Sequence, residues 1–347
     1  MNSKYRSSSF KFTAMLAATL LAAGCAQMPV PVAPKGAEAP RLQPSAQQLD
    51  WARRTSIAPE ALGEMINKPG FKMVPTELGP FLAYMQLAKP DLRQRIADIA
   101  RKNIGQPYEL FLLGEFPYET YDNQPLFNLE KSDCVVFVEH VYAMALSSSW
   151  EEFFWMLQRI RYQEGVIGTA TRNHYTEADW NISNRWLVQD ITASLAGTGA
   201  VSYTMQIDRK AFLKKQFKID REIPKQRWDE VYLPKEMVAQ VAAQLQDGDF
   251  VNIISGNEGG KWASHVGLVV VGADGARNIV HSSEPMVSEE SLQSFIDRAA
   301  AREARNAAAG KTNATRLFGF KFLRLNDKPE VPPMAPQPRP ARAVLLD

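Results

Sequence analysis

Residues 264–283 read SHVGLVVVGADGARNIVHSS, and this stretch decides the fold class. The run from His265 to Val271 is short, apolar and rich in β-branched residues, which is the composition of a buried strand. Asp274-Gly275 is a hairpin signal, because the favoured two-residue turn needs positive φ at both central positions. The chain then returns as Arg277 to His281, a strand antiparallel to the first. Phe250–Ile254 supplies another short strand before the pair, and Phe318, Phe320 and Phe322 alternate in a late one. A helix from about Glu289 to Ala308 is expected between the hairpin and that last strand.

Upstream the pattern is helical. Pro90 suits a helix start, Leu92, Ile96, Ile99 and Asn103 mark one face, and Gly105 suits the stop. A second helix runs from Cys134 to about Leu146. A third opens at Ser149, with Glu152 three residues on as a capping box, and buries Phe153, Met156, Leu157 and Ile160. Helices first and antiparallel strands afterwards give an α+β class, with the N-terminal helices packed on an antiparallel sheet or small barrel.

The chain of 347 residues is long enough for one large domain or two modest ones, and its 45% hydrophobic content excludes collagen, coiled coil and global disorder. The net charge is +2, and no Lys/Arg run supplies the basic face that a nucleic-acid partner requires. None is expected. Of the two cysteines, Cys25 and Cys134, each has its own expected task, so no disulfide is expected between them.

Residues 1–11 are polar and basic, Phe12 to Ala23 are almost wholly apolar, and Gly24-Cys25 follows. That is the layout of a secretory signal, with an apolar run too short to span a bilayer. Leu21-Ala22-Ala23-Gly24-Cys25 is similar to a bacterial lipobox, with the leucine one place further out than usual. Cleavage before Cys25 would free it for lipid attachment. Ala26 after it, rather than an aspartate, favours the periplasmic face of the outer membrane. Residues 1–24 are thus expected to be a lipoprotein signal peptide and 25–49 a flexible tether rich in Pro, Ala and Gln. Residues 50–326 are expected to form the folded domain. Six prolines between Pro329 and Pro340 mark residues 327–347 as an extended, unpacked tail. The signal segment carries Lys4, Arg6 and Lys11 and no acid, so the mature chain is near −1 (the +2 less three).

The chemistry centres on Lys131-Ser132-Asp133-Cys134. Ser132 or Asp133 can cap the helix, which puts Cys134 in its first turn, where backbone N–H groups and the helix dipole stabilise an anion. A helix N-terminus is one of the places that lowers a cysteine pKa, and the same N–H groups can hold an oxyanion. Alone, such a cysteine reads more simply as buried and inert. The histidines change the balance. His265 opens a hydrophobic strand at the edge of a cleft, and His281 ends the next strand, where it returns close enough to orient the His265 ring. Ser282 or Ser283 is an alternative orienter. His140, nearly two turns along the Cys134 helix, reads as structural. No CxxC or HExxH is present, so no metal or other cofactor is expected.

Together these residues resemble the papain-like, NlpC-type cell-wall hydrolases. The order of cysteine, then His-Val-Gly, then His-Ser matches, as do Gly105-Gln106-Pro107-Tyr108 and Gly248-Asp249. A subfamily of N-acetylmuramoyl-L-alanine amidase-like proteins is closer still. Its Asp-Cys-x-x-Phe-Val-Glu stands here as Asp133 to Glu139, followed by Ile160-Arg161-Tyr162 and by Arg172, His174, Tyr175 and Trp180. Val135-Val136 replace the two small polar residues usual after the cysteine. The resemblance covers about residues 85–326. It implies Cys134 as nucleophile and His265 as base with His281 as orienter. It also implies a peptidoglycan or muropeptide substrate, cut between N-acetylmuramic acid and L-alanine. A γ-D-glutamyl–diamino-acid endopeptidase and a non-catalytic wall-binding lipoprotein are the alternatives. Tyr108 is implied to line the substrate site, and Asp133 and Ser264, beside the catalytic candidates, are expected among the substrate-binding residues with it. In the later block, Arg172 can pair with a peptide carboxylate, with His174 beside it, while Tyr175 and Trp180 can stack on a sugar. The competing reading tucks these aromatics into the core. A monomer is expected.

Overall fold

The computed structural model describes residues 42–341. The expected signal peptide, Cys25 and most of the expected tether lie outside the described residues. The folded part begins inside the stretch read as tether. Ser45 caps α1 (Ala46–Arg54) in a reciprocal capping box with Gln48. There follow α2 (Pro59–Asn67), α3 (Pro75–Ala88), α4 (Leu92–Lys102), α5 (Cys134–Ala145), α6 (Trp150–Arg161) and α7 (Asn181–Ser183). Further on come α8 (Thr192–Ala196), α9 (Arg209–Phe217), α10 (Val238–Val241) and α11 (Leu292–Ala308).

The described residues also hold eight strands: β1 (Val188–Asp190), β2 (Val201–Ile207), β3 (Gln226–Pro234), β4 (Phe250–Asn257), β5 (Gly260–Val271), β6 (Arg277–Ser283), β7 (Met286–Ser291) and β8 (Arg316–Leu325). They form one antiparallel sheet in the order β2-β3-β8-β4-β5-β6-β7, with β1 also on β8. The fold class is α+β.

The sheet is covered on both faces, which is why its central strands read as continuous apolar runs. Phe250, Val266, Leu268, Val270 and Val280 pack with α3 to α6. Val251, Ile253, Val269, Ile279, Phe320 and Phe322 pack with α10 and α11. Helix α5 is the centre of the first layer, with every residue from Val136 to Ala145 buried. A core helix is apolar nearly all round, and the two ionisable residues in this run, Glu139 and His140, are hydrogen-bonded inside the protein. Gly267 lets β5 and β6 close up, since a Cβ there would sit 2.7 Å from Ile279 Cγ1 and 3.0 Å from Val280 O.

Three expectations need correction. The helix expected from Glu289 begins at Leu292, because Met286–Ser291 pairs with β6, Ile279 facing Glu290, and Ser291 is the N-cap. At α6 the cap is Ser149, but Glu152 reaches back to Ser148 N at 2.6 Å rather than to the cap residue. The proline-rich tail is extended yet docked. Arg159 Nε donates to Pro332 O at 3.3 Å, and Ala335 N donates to Glu164 O at 3.1 Å. Gln337 Nε2 donates to Gly165 O at 2.8 Å, and Ala341 N donates to Pro117 O at 3.0 Å. Prolines leave their carbonyls free to accept, so an extended segment can be tied down without secondary structure. Strands β1 to β3 lie in a region where the sequence reading placed no element.

Candidate active site

Asp133 is the N-cap of α5. Its Oδ1 accepts from Val135 N at 3.0 Å and Val136 N at 2.8 Å, two of the donors a helix start leaves without partners. Cys134, the first helical residue, is half-buried. The N–H groups of Val266, Val135 and Cys134 itself favour a charged sulfur. Burial outweighs them, and the Asp133 carboxylate adds to it, so the thiol is pushed up to about 12. This corrects the expectation that the helix N-terminus leaves a low-pKa thiol: the capping carboxylate takes up two of the N–H groups and sets a negative charge beside the sulfur.

The start of α5 reaches the sheet where two strands part. β5 and β6 pair only from Leu268–Val271 to Arg277–Val280. Beyond that they separate, and the residues before Cys134 are held in the gap. Ser282 Oγ donates to Ser132 O at 2.9 Å, and Ser132 Oγ donates to Gln106 Oε1 at 2.8 Å. Gln106 Nε2 in turn donates to Leu129 O at 2.8 Å. The Gly105–Tyr108 segment runs along β7, through Gly105 N to Val287 O at 2.9 Å and Tyr108 N to Pro285 O at 3.0 Å. It also bridges to Ser132, whose N–H donates to Pro107 O at 3.1 Å. Tyr108 is thereby placed beside Cys134 and Asp133. Burial first, and then its neighbours Cys134 and Asp133, raise its pKa, so its hydroxyl remains a donor.

His265 follows a β-bulge at Ser264 and pairs with Ile253 in β4. Strand alternation turns its ring towards the α11 side, where it stacks on Phe295 at 6.5 Å and 7°. Its Nε2 lies 2.8 Å from His281 Nδ1. His281, 1% exposed, continues the line with its Nε2 at 3.0 Å from Glu290 Oε1, and Glu290 is paired with Arg298 of α11. Burial first, and then the neighbouring His281 and the Arg298 charge, pull the His265 pKa well below its ordinary value. The Cys134 sulfur contacts the backbone N–H next to His265, and among the described residues no hydrogen bond joins it to the ring. Thiol and imidazole are therefore both neutral at rest.

The other sequence candidates are placed elsewhere. Ser264 Oγ donates to Ser255 Oγ at 2.7 Å, bracing the bulge on β4. Arg172 is engaged by the Glu115 carboxylate (Nε to Oε1 2.7 Å, Nη2 to Oε2 2.5 Å) and by Asp122 at 2.9 Å. Its guanidinium is therefore not free for a peptide carboxylate. His174 donates to Thr169 O at 2.7 Å and packs on Phe212 and Phe217. Tyr175 lies under Arg209 and against Phe212. Trp180, 2% exposed, stacks in the core against Phe250 and cannot face a sugar. These placements correct the substrate-binding expectation for Arg172, His174 and Trp180. What the sequence reading missed is the partner of Trp180: Glu139, inside the protein, accepts from Arg161 Nη1 at 3.0 Å and Trp180 Nε1 at 3.1 Å. It also missed Glu290 and Arg298. Among the described residues, no group of three or more His, Cys, Asp or Glu side chains is placed to hold a metal ion.

Comparison with known proteins speaks to the fold and the family. A Legionella pneumophila protein, assigned in its crystal structure to a domain-of-unknown-function family, has a TM-score of 0.62 at 20% identity, over 75% of this chain and 96% of that one. An N-acetylmuramoyl-L-alanine amidase from Bacteroides uniformis has a TM-score of 0.52 at 24% identity, over 68% of this chain and 99% of that one. At such identities the likeness speaks for the fold. No curated protein matches the chain. The sequence model described as N-acetylmuramoyl-L-alanine amidase-like matches residues 98–301, more than half of the chain. That span holds the capped Cys134, the two paired histidines and the Glu139 cluster behind them, and the chain belongs to the N-acetylmuramoyl-L-alanine amidase-like family.

Proposed function

We propose that the chain is a cysteine hydrolase that cleaves the amide between N-acetylmuramic acid and L-alanine in peptidoglycan or muropeptides. The observation that carries this reading is the position of Cys134. Its half-buried sulfur sits at a helix N-terminus against the Val266 N–H, one residue from an imidazole whose far nitrogen is held by His281.

With the thiol held up near 12 and the imidazole depressed, proton transfer accompanies attack instead of preceding it. The substrate carbonyl docks between the start of α5 and Tyr108. The sulfur moves into bonding range of His265 Nδ1, which takes its proton as the S–C bond forms. The oxyanion is held by the Cys134 N–H and the Tyr108 hydroxyl. His265 returns the proton to the leaving amine of L-alanine, the C–N bond breaks, and a thioester to the muramoyl lactyl carbonyl remains. Water, deprotonated by the same ring, then hydrolyses the thioester and restores the thiol. The protein acts as a monomer, anchored by lipid at Cys25 to the periplasmic face of the outer membrane.

Product analysis on a defined muropeptide tests the reading. Sugar freed from an intact peptide means the amide was cut, and a shortened stem means the γ-D-glutamyl–diamino-acid bond was cut instead. Cys134→Ala should abolish release, and full activity in that variant refutes cysteine chemistry. One observation favours a second reading, a wall-binding protein without turnover: the raised thiol has no bond to the ring. Muropeptide binding without product and without an acyl-enzyme mass would select it.

A further inference from the structure

The hydrogen-bonded line from β5 to α11 fixes protons as well as positions. Glu290 has a carboxylate with acceptors only. Burial works against its charge, but bonds from His281 and Arg298 outweigh it and hold the carboxyl below the ordinary range. A carboxylate 3.0 Å from His281 Nε2 requires that nitrogen to carry a proton. With its one proton on Nε2, His281 has its lone pair on Nδ1. That lone pair faces His265 Nε2 at 2.8 Å, so this nitrogen must be the donor. The remaining lone pair of His265 is on Nδ1, the ring nitrogen closest to its own backbone, and the next residue along that backbone is Val266, whose N–H the Cys134 sulfur meets.

We propose that Glu290 is a positioning residue of the site: its carboxylate sets the tautomer of His281, and through it that of His265, leaving His265 Nδ1 as the base for Cys134. This rests on the cysteine reading above. Arg298 holds Glu290 from the solvent side, with its guanidinium 5.1 Å over the Phe295 ring that also packs both histidines. The charged or titratable groups set against the histidine pair are thus Glu290 from β7, Arg298 from α11 and Cys134 from α5. Helix α11 closes the far face of the sheet and contributes to the chemistry from there. When His265 takes the thiol proton, its positive charge is balanced through the His281 ring by Glu290.

The test is imidazole ¹⁵N NMR of the full chain at neutral pH, with single-histidine variants for assignment. His265 and His281 should each carry one proton, on Nε2. A proton on Nδ1 of His281, or on both its nitrogens, overturns the proposal whatever the enzyme cleaves. Glu290→Gln should mix the tautomers of His265 and lower kcat by about 10²-fold, the lower end of what a general base contributes, with KM unchanged. Unchanged tautomers and kcat in that variant also overturn it. If Cys134→Ala stays fully active, the cysteine reading fails on its own. If Cys134→Ala is dead and the tautomers differ from those given, only the role of Glu290 falls.

Discussion

Trp180 Nε1 and Arg161 Nη1 donate to the two oxygens of one carboxylate, that of Glu139, at 3.1 and 3.0 Å. Glu139 lies on α5 just beyond the first turn that carries Cys134, so three separated sequence blocks converge behind Cys134. Their work is to fix the helix, because a buried carboxylate left without donors would be costly.

Trp180→Ala therefore acts on stability. It removes a core aromatic packed on Phe250 and Tyr142 and leaves Glu139 Oε1 without a donor. The expected loss is about 3–5 kcal/mol, seen as a lower midpoint in urea unfolding, while KM of the folded fraction is unchanged. A raised KM at wild-type stability would return Trp180 to the substrate.

Arg172→Met makes a parallel case with charge. Glu115 has no exposed side chain, and Asp122 shares the same guanidinium. Removing it leaves two carboxylates facing each other. The expected cost is about 3–5 kcal/mol, with Arg172→Lys losing the paired geometry but keeping the charge, and so falling between. Thermal unfolding of the three proteins gives the order, and wild-type-like melting of Arg172→Met would contradict it.

The cap, the apolar surface of α5 and the Asp274-Gly275 hairpin are all local, which is why Cys134, His265 and His281 stand out in the sequence. The inward turn of Trp180 is not local. It depends on a carboxylate 41 residues away, and the same aromatic block is compatible with a sugar platform until that partner is placed. Glu290 was hidden for a related reason. Ser288-Glu289-Glu290-Ser291 reads as the polar start of a helix, and only its pairing with β6 turns Glu290 towards His281. The pKa of Cys134 was misjudged because a helix N-terminus and its own capping carboxylate act on the sulfur with opposite signs, and burial then decides the sum.

Tyr108 tests the oxyanion role. Its pKa is raised, so the hydroxyl stays protonated well above neutral pH. Tyr108→Phe keeps the ring and loses the donor. If the hydroxyl meets the oxyanion only in the transition state, kcat falls by about 10²-fold with KM little changed. A change confined to KM would place the hydroxyl on the ground-state substrate instead.

His174 gives the pH dependence of stability. Burial first, and then the Arg172 charge, push its pKa down to about 3, against an ordinary 6.5. The unfolded chain takes a proton near 6.5 while the folded chain refuses it until about 3. Acid therefore favours unfolding across that window, and the stability present above 6.5 is lost as pH falls through it. His140, pushed down to about 4 by burial, works in the same direction. His174→Phe fits between Phe212 and Phe217 but forfeits the 2.7 Å bond to Thr169 O. It should cost about 1 kcal/mol at pH 7 and flatten the fall in melting temperature between pH 6.5 and 4, leaving the part due to His140. An equally steep fall in the variant would show that His174 is already protonated in the folded protein, and so is not shielded from solvent by the Phe212–Phe217 pocket.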